Sequence, residues 1–310
     1  MEKLVLSIAE IPIAIYLEYP LEPLAPPLSK LFHGYISKGD KSDYSLTLSY
    51  DHVKTYSALE KHPISINENV YPELINRIKE IYPLSNDSIA VGFQNGCLSY
   101  NRLSCKGHLL FLRTRKSHFI MGTLYKLLFI FISLIMAEKK KFIMHGAGIE
   151  GNEGGYLFLG ESGAGKTTVA GFADKRQVLS DDAPIIGYET DLFYMYPSPF
   201  GQINLFAMKD EAHHEKKVQL NNLFFLKKNE VQSIILKERR YAFAEILKKH
   251  IHGIEFMDKD SRGAAFNFFH DLCECIPMYD LNFQKNNQFW TDISKIEINP
   301  ESATPSCHFD

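Results

Sequence analysis

The segment from Tyr156 to Thr168, Tyr-Leu-Phe-Leu-Gly-Glu-Ser-Gly-Ala-Gly-Lys-Thr-Thr, restricts this chain more than any other stretch. Its apolar start, Tyr156 to Leu159, predicts a short strand, and a helix is expected from about Lys166. Between them, Gly160-x-x-x-x-Gly165-Lys166-Thr167 has the spacing of a phosphate-cradling loop. Glycines let such a loop bend until several amide N–H groups face one anion, and the next helix adds the positive end of its dipole. The expected nucleotide contacts are Gly160, Glu161, Ser162, Gly163, Ala164, Gly165, Lys166, Thr167 and Thr168. Lys166 is suited to the β- and γ-phosphates, and the Thr167 hydroxyl to a magnesium ion bridging them.

A second short strand, Gln177 to Ser180, ends in Asp181-Asp182, which predicts a compact strand-helix-strand unit. In a parallel sheet the pair would stand beside the glycine loop, because ligands gather at the carboxyl ends of such strands. Successive strand residues point to opposite sides. One carboxylate is therefore expected to hold the metal while the other faces the acceptor, as general base; the competing reading is a solvated turn before Pro184. His145, in His145-Gly146-Ala147-Gly148, precedes the loop strand and is a candidate for the γ-phosphate or acceptor, although a lone histidine is more often structural.

With 310 residues, 45% hydrophobic and 23% charged, the chain has room for one large domain or two smaller ones. A formal net charge of -3 provides no basic field for nucleic acid. Five cysteines and an opening Met-Glu-Lys without a cleavable apolar signal suggest the reducing cytoplasm. Cys273 and Cys275 lack a second pair at zinc spacing and are expected as core thiols. The apolar run Phe119 to Ala137 has about the length of a membrane span. Lys126 interrupts it, so a buried helix is expected and membrane insertion is not.

Residues 1–115 read as a small α+β region with Leu4 to Ile8 extended and a helix at Pro72 to Ile81. Residues 116–310 carry the motifs. Further on, Leu223 to Leu226 and Val231 to Leu236 suggest a strand pair around the turn Lys227 to Glu230. Tyr241 to Lys249 and Ala264 to Cys275 look helical, and Tyr279 to Phe283 looks like a last strand.

Taken together, His145-Gly146, Gly160 to Thr167 and Ser180-Asp181-Asp182 resemble the HPr serine kinase group, whose phosphate site is related to that of phosphoenolpyruvate carboxykinases. The resemblance covers about residues 119–205. It implies an α/β fold with a P-loop kinase core of HPr kinase/phosphoenolpyruvate carboxykinase type, preceded by the N-terminal α+β region. It also implies Asp181 as catalytic carboxylate, His145 and Lys166 as catalytic partners, Thr167 and Asp182 at the metal, and ATP or another nucleoside triphosphate with Mg2+. Bifunctional HPr kinase/phosphorylases carry Glu-x-Arg-Gly-Leu-Gly after the Asp-Asp strand. Here Tyr196-Pro197-Ser198-Pro199-Phe200-Gly201 stands instead, leaving Glu189 or Asp191 as the substitutes for the lost metal glutamate.

With its divergent N-terminal region, the stretch Pro197-x-Pro199-Phe200-Gly201 and an ending with Pro277-Met-Tyr-Asp-Leu-Asn-Phe283, the layout is more similar to the HPr-kinase-like proteins of peptide-modification clusters, some of which phosphorylate lasso-peptide precursors at a C-terminal serine. The expected partners are a nucleotide and a peptide or protein hydroxyl, with Pro197 to Asn204 contributing to the acceptor pocket; a homo-oligomer is compatible with this. Kinases of free serine or another metabolite, carboxykinase-like enzymes and nucleotide-binding regulatory modules remain as alternatives.

Overall fold

The computed structural model describes residues 1–56, 64–65, 80, 84–85, 87–114, 120–152, 154–174, 176–201 and 216–298. The chain is mixed α/β and divides into two compact units, Met1–Ile135 and Met136–Asp310. Apart from Glu80, the helix expected at Pro72 to Ile81 lies outside the described residues, as do Gln202 to Asn204 of the expected acceptor loop.

The first unit contains β1 (Glu2–Ile8), β2 (Ile11–Leu17), α1 (Ala25–Leu31), β3 (Tyr44–Tyr56), β4 (Ile64–Ser65), β5 (Ser88–Phe93), β6 (Gly96–Asn101) and β7 (Lys106–Thr114). Its sheet has the order β1-β2-β3-β7-β6-β5-β4. The parallel pairs β2–β3 and β3–β7 stand beside antiparallel hairpins. The next helix, α2 (Ile120–Glu138), carries the long apolar run and crosses the division between the units. It is long and apolar enough to cross a membrane, yet 67% of its apolar window is buried. Leu124, Leu127, Leu128, Phe131 and Ile135 are buried, while Lys126 is exposed, as a helix laid on a sheet requires. Phe131 meets Tyr100 of β6 edge-on at 5.3 Å.

The second unit begins with β8 (Lys141–Ile143), β9 (Gly146–Glu150), β10 (Gly155–Leu159), α3 (Lys166–Gly171) and β11 (Val178–Ser180). It continues through β12 (Ile185–Glu189), β13 (Leu192–Tyr196), β14 (Val218–Lys228), β15 (Ser233–Leu236), α4 (Arg239–Lys249), α5 (Lys259–Cys275), β16 (Met278–Phe283) and α6 (Phe289–Ile298). The strand path is β11-β9-β10-β14-β13-β12-β8, with β16 pairing β14 and β15 pairing β16.

Two sequence expectations change here. The strand ending in Asp181-Asp182 does not touch the glycine-loop strand, because β9 lies between β11 and β10 and pairs antiparallel with both. Two reversals restore the direction, so β11 still runs parallel to β10. The expected strand pair around Lys227 to Glu230 is likewise split: β16 lies between β14 and β15, parallel to the first and antiparallel to the second. Burial explains this choice, since Leu281 is fully buried in β16 whereas Ile235 and Leu236 of β15 are exposed and suit an edge.

On one sheet face Phe158, Phe224 and Tyr279, from the parallel strands β10, β14 and β16, stack in register at 5.2 and 5.5 Å. Val169 of α3 and Phe289, Trp290 and Ile293 of α6 complete this core. The Trp290 indole N–H donates to the Phe172 carbonyl at 2.7 Å, tying α6 to the end of α3. Phe142 packs on Phe268 and Phe269 of α5. Cys273 is a buried free thiol, but Cys275 is disulfide-bonded, so the expectation of two core thiols holds for Cys273 alone.

Candidate functional site

Because β10, β11, β14 and β16 run the same way, their carboxyl ends share one sheet edge, and the amino end of antiparallel β9 joins them there. That edge therefore collects the glycine loop, Asp181-Asp182, Lys228 and the segment before Gly146.

His145 is placed by main-chain bonds on both sides. Its N–H donates to the His250 carbonyl at 2.9 Å, and the neighbouring amide of Gly146 donates to the Asp182 carbonyl at 3.2 Å. Pro184 accepts from Met144 at 2.8 Å. His145 thus joins the acidic segment to the residues that follow α4, and its ring lies 5.1 Å from that of His252.

Lys166 is 7% exposed. Its ammonium donates to the Gly160 carbonyl at 3.0 Å, to the Glu161 carbonyl at 3.4 Å and to His145 Nε2 at 2.8 Å. Asp182 Oδ1 lies 3.6 Å from the same ammonium and 3.5 Å from His145 Nε2. Burial lowers the Lys166 pKa and Asp182 opposes it. His145 is lowered by burial and by the Lys166 charge, with Asp182 and Glu161 opposing. A neutral imidazole can accept from the ammonium, which fits the short contact.

A cavity of about 380 Å³ brings the candidates together. Ser162, Gly163, Gly165, Lys166, Thr167 and Thr168 line it from the loop side. His145, Asp181 and Asp182 line it from the strand ends. Gly160, Glu161 and Ala164 belong to the loop without lining the cavity: Gly160 receives Lys166, Glu161 pairs with Lys249 at 2.5 Å, and the Ala164 amide donates to the Glu161 carbonyl. The helix after the loop is short, at six residues, so its dipole contribution is small.

Asp181 is 1% exposed. It packs against Gly201, whose φ is 134°; a Cβ there would lie 2.4 Å from Asp181 Oδ1. Ser180 Oγ donates to the Phe200 carbonyl at 2.9 Å. Ser198 and Phe200 are buried, so Pro197 to Gly201 supports the acidic pair from beneath rather than offering an open acceptor surface.

Neither proposed substitute for the metal glutamate reaches the cavity. Against the upward pull of its burial, hydrogen bonds from Lys217, Tyr196 and Lys141 hold Glu189 at about 2. Lys141 lies 2.9 Å from its carboxylate, which is committed to this structural cluster. Asp191 follows Thr190 in the tight β12–β13 turn, both with positive φ, and accepts from the Tyr188 hydroxyl at 3.4 Å. Sequence reasoning missed Lys228, which lines the cavity from the end of β14. Its signal was the Lys227-Lys228 pair ending an apolar strand, read instead as part of a turn.

A family model described as SynChlorMet cassette protein ScmC matches residues 113–298 of the 310-residue chain. The chain belongs to this family. The ScmC match contains His145, the whole glycine loop, Asp181, Asp182 and Lys228, and it leaves the sheet of the first unit outside except for the last residues of β7. A search of the curated proteins finds no match.

Proposed function

We propose that this chain is a magnesium-dependent phosphotransferase with a P-loop kinase core of HPr kinase and phosphoenolpyruvate carboxykinase type, which moves the γ-phosphoryl group of a nucleoside triphosphate onto a serine hydroxyl of a peptide or protein. The observation that carries this reading is the convergence of Lys166, Thr167, Asp181, Asp182 and His145 on one cavity beside a glycine loop.

Lys166 would neutralise phosphate charge, exchanging its loop carbonyls and His145 for phosphate oxygens. Asp181 would accept the acceptor's hydroxyl proton as the new O–P bond forms and the bond from the γ-phosphorus to the bridging oxygen breaks, releasing the nucleoside diphosphate. His145, neutral and bonded to the ammonium until phosphate displaces it, would hold Lys166 in position for the incoming nucleotide. Thr167 and Asp182 are the residues that would hold magnesium. Their hydroxyl and carboxylate oxygens are hard donors suited to an ion that also takes phosphate oxygens. Bound there, magnesium would screen the charge of the transferring phosphate.

Peptide acceptors are favoured by the resemblance to kinases of peptide-modification clusters. The family description, a cassette protein, is compatible with a substrate encoded nearby. Ser198 and Phe200 are buried, which supports free serine or another small hydroxyl compound as a second reading. Incubation with γ-labelled nucleotide, the peptides of neighbouring genes and free serine, followed by phosphosite mapping, separates the two. Label on a peptide serine supports the proposal. Label on free serine alone transfers it to the small-molecule reading, and no label on any acceptor defeats both.

A further inference from the structure

A second cavity, of about 650 Å³, adjoins the first, and Thr168 and Lys228 line both. Its remaining walls are Asn229 and Glu230 after β14, and Phe283, Gln284 and Lys285 at the end of β16. These two strands are parallel neighbours with Lys228 in register with Phe283. The two segments are also tied: the Asn229 amide donates to the Phe283 carbonyl at 3.4 Å, and the Gln284 side-chain amide donates to the Glu230 carbonyl. The wall continues from the glycine loop, since a Cβ on Gly165 would lie 2.5 Å from Phe283 Cζ.

We infer that this second cavity takes the nucleoside half of the nucleotide whose phosphates occupy the first, an assignment that rests on the phosphate-site reading above. The volume lies within the range of roughly 300–1,000 Å³ usual for small-ligand sites, and such sites combine apolar walls with a few polar groups. Here an aromatic residue is joined by a carboxylate, two carboxamides and lysines, which suit a heterocycle and sugar hydroxyls. Thr168 and Lys228 stand where the two cavities meet, so a hydroxyl and a cation face the phosphate nearest the sugar. His145, Asp181 and Asp182 line only the first cavity. The phosphate chain then runs from Thr168 and Lys228 toward these three residues, and the acceptor must approach from their end.

The test is calorimetric titration of the full chain, with magnesium, using ATP, GTP, CTP, UTP and inorganic tripolyphosphate. The tightest-binding nucleotide should bind at least about tenfold more tightly than tripolyphosphate, which can fill the first cavity only. Asn229→Trp, which adds bulk to the second cavity, and Gln284→Ala/Lys285→Ala, which removes side chains from it, should each weaken that nucleotide about tenfold or more while tripolyphosphate binding is kept. If tryptophan also disturbs tripolyphosphate binding, the double alanine variant decides, and unchanged nucleotide affinity in it overturns the assignment. Equal affinity of nucleotide and tripolyphosphate for the wild-type chain overturns it too, while leaving the phosphate site standing. Failure of every probe to bind overturns both.

Discussion

Lys166 does two things that pull in different directions. As a buried cation bonded to the carbonyls of Gly160 and Glu161 it holds its own loop closed, and as a cavity residue it is the group a phosphate would draw away. A loop lysine read from sequence suggests a partly exposed side chain whose removal spares the fold. At 7% exposure it does not have that freedom. Lys166→Ala is therefore expected to abolish phosphotransfer and also to cost about 1–3 kcal/mol of stability, checked by turnover and denaturant unfolding. Asp181→Asn should keep nucleotide affinity and slow transfer by roughly two to four orders of magnitude, the usual worth of a general base. Asp182→Asn should instead raise the magnesium concentration needed for activity. An exchange of these two phenotypes would exchange the roles. Gly201→Ala places a methyl group against the Asp181 carboxylate at a φ of 134°, so it should lower turnover with a stability loss of about 1–3 kcal/mol, measured alongside Asp181→Asn.

Among the elements, those with strong local signals were legible: the β10–loop–α3 passage, α4, the body of α5 and β16 stand where the residue pattern puts them. Pairing was less legible. The pattern of β11 carries no mark that β9 will separate it from β10, because strand order depends on which faces the packed elements bury together. For the same reason Leu223 to Leu226 suggested a hairpin partner downstream, whereas β14 is joined by β10 and β16. The amphipathic α6 was missed although Phe289, Trp290, Ile293 and Ile296 recur at helical spacing. The segment after α4 carries a measurable consequence. His250 is 1% exposed, and burial holds it at about 4, with Glu245 at 3.9 Å opposing and His145, Lys166 and Lys249 reinforcing the shift. In the unfolded chain its imidazole charges below about pH 6.5. Between these values the unfolded state binds the extra proton, so stability falls as the pH drops from about 6.5 towards 4. His250→Gln should flatten that acid limb by up to about 3 kcal/mol in denaturant titrations at successive pH values.

At the scale of the molecule, the candidate site belongs to the second unit, where strands running the same way deliver the glycine loop, the acidic pair and Lys228 to one edge. The family match follows this division closely, covering the described second unit with α2 and little of the first sheet. The loop and acidic pair were visible in sequence because their residue types and spacing are local. Lys228, the buried support from Phe200 and Gly201, and the diversion of Glu189 to Lys141 and Lys217 depend on residues far apart in the chain. The most direct measurement is the initial rate of transfer from γ-labelled nucleotide to acceptor peptides by the full chain with magnesium, with Lys166→Ala and Asp181→Asn assayed beside it. A magnesium-dependent wild-type rate that Lys166→Ala abolishes and Asp181→Asn lowers at least about a hundredfold is the predicted result; equal rates in all three proteins would contradict the assignment of this cavity to phosphotransfer.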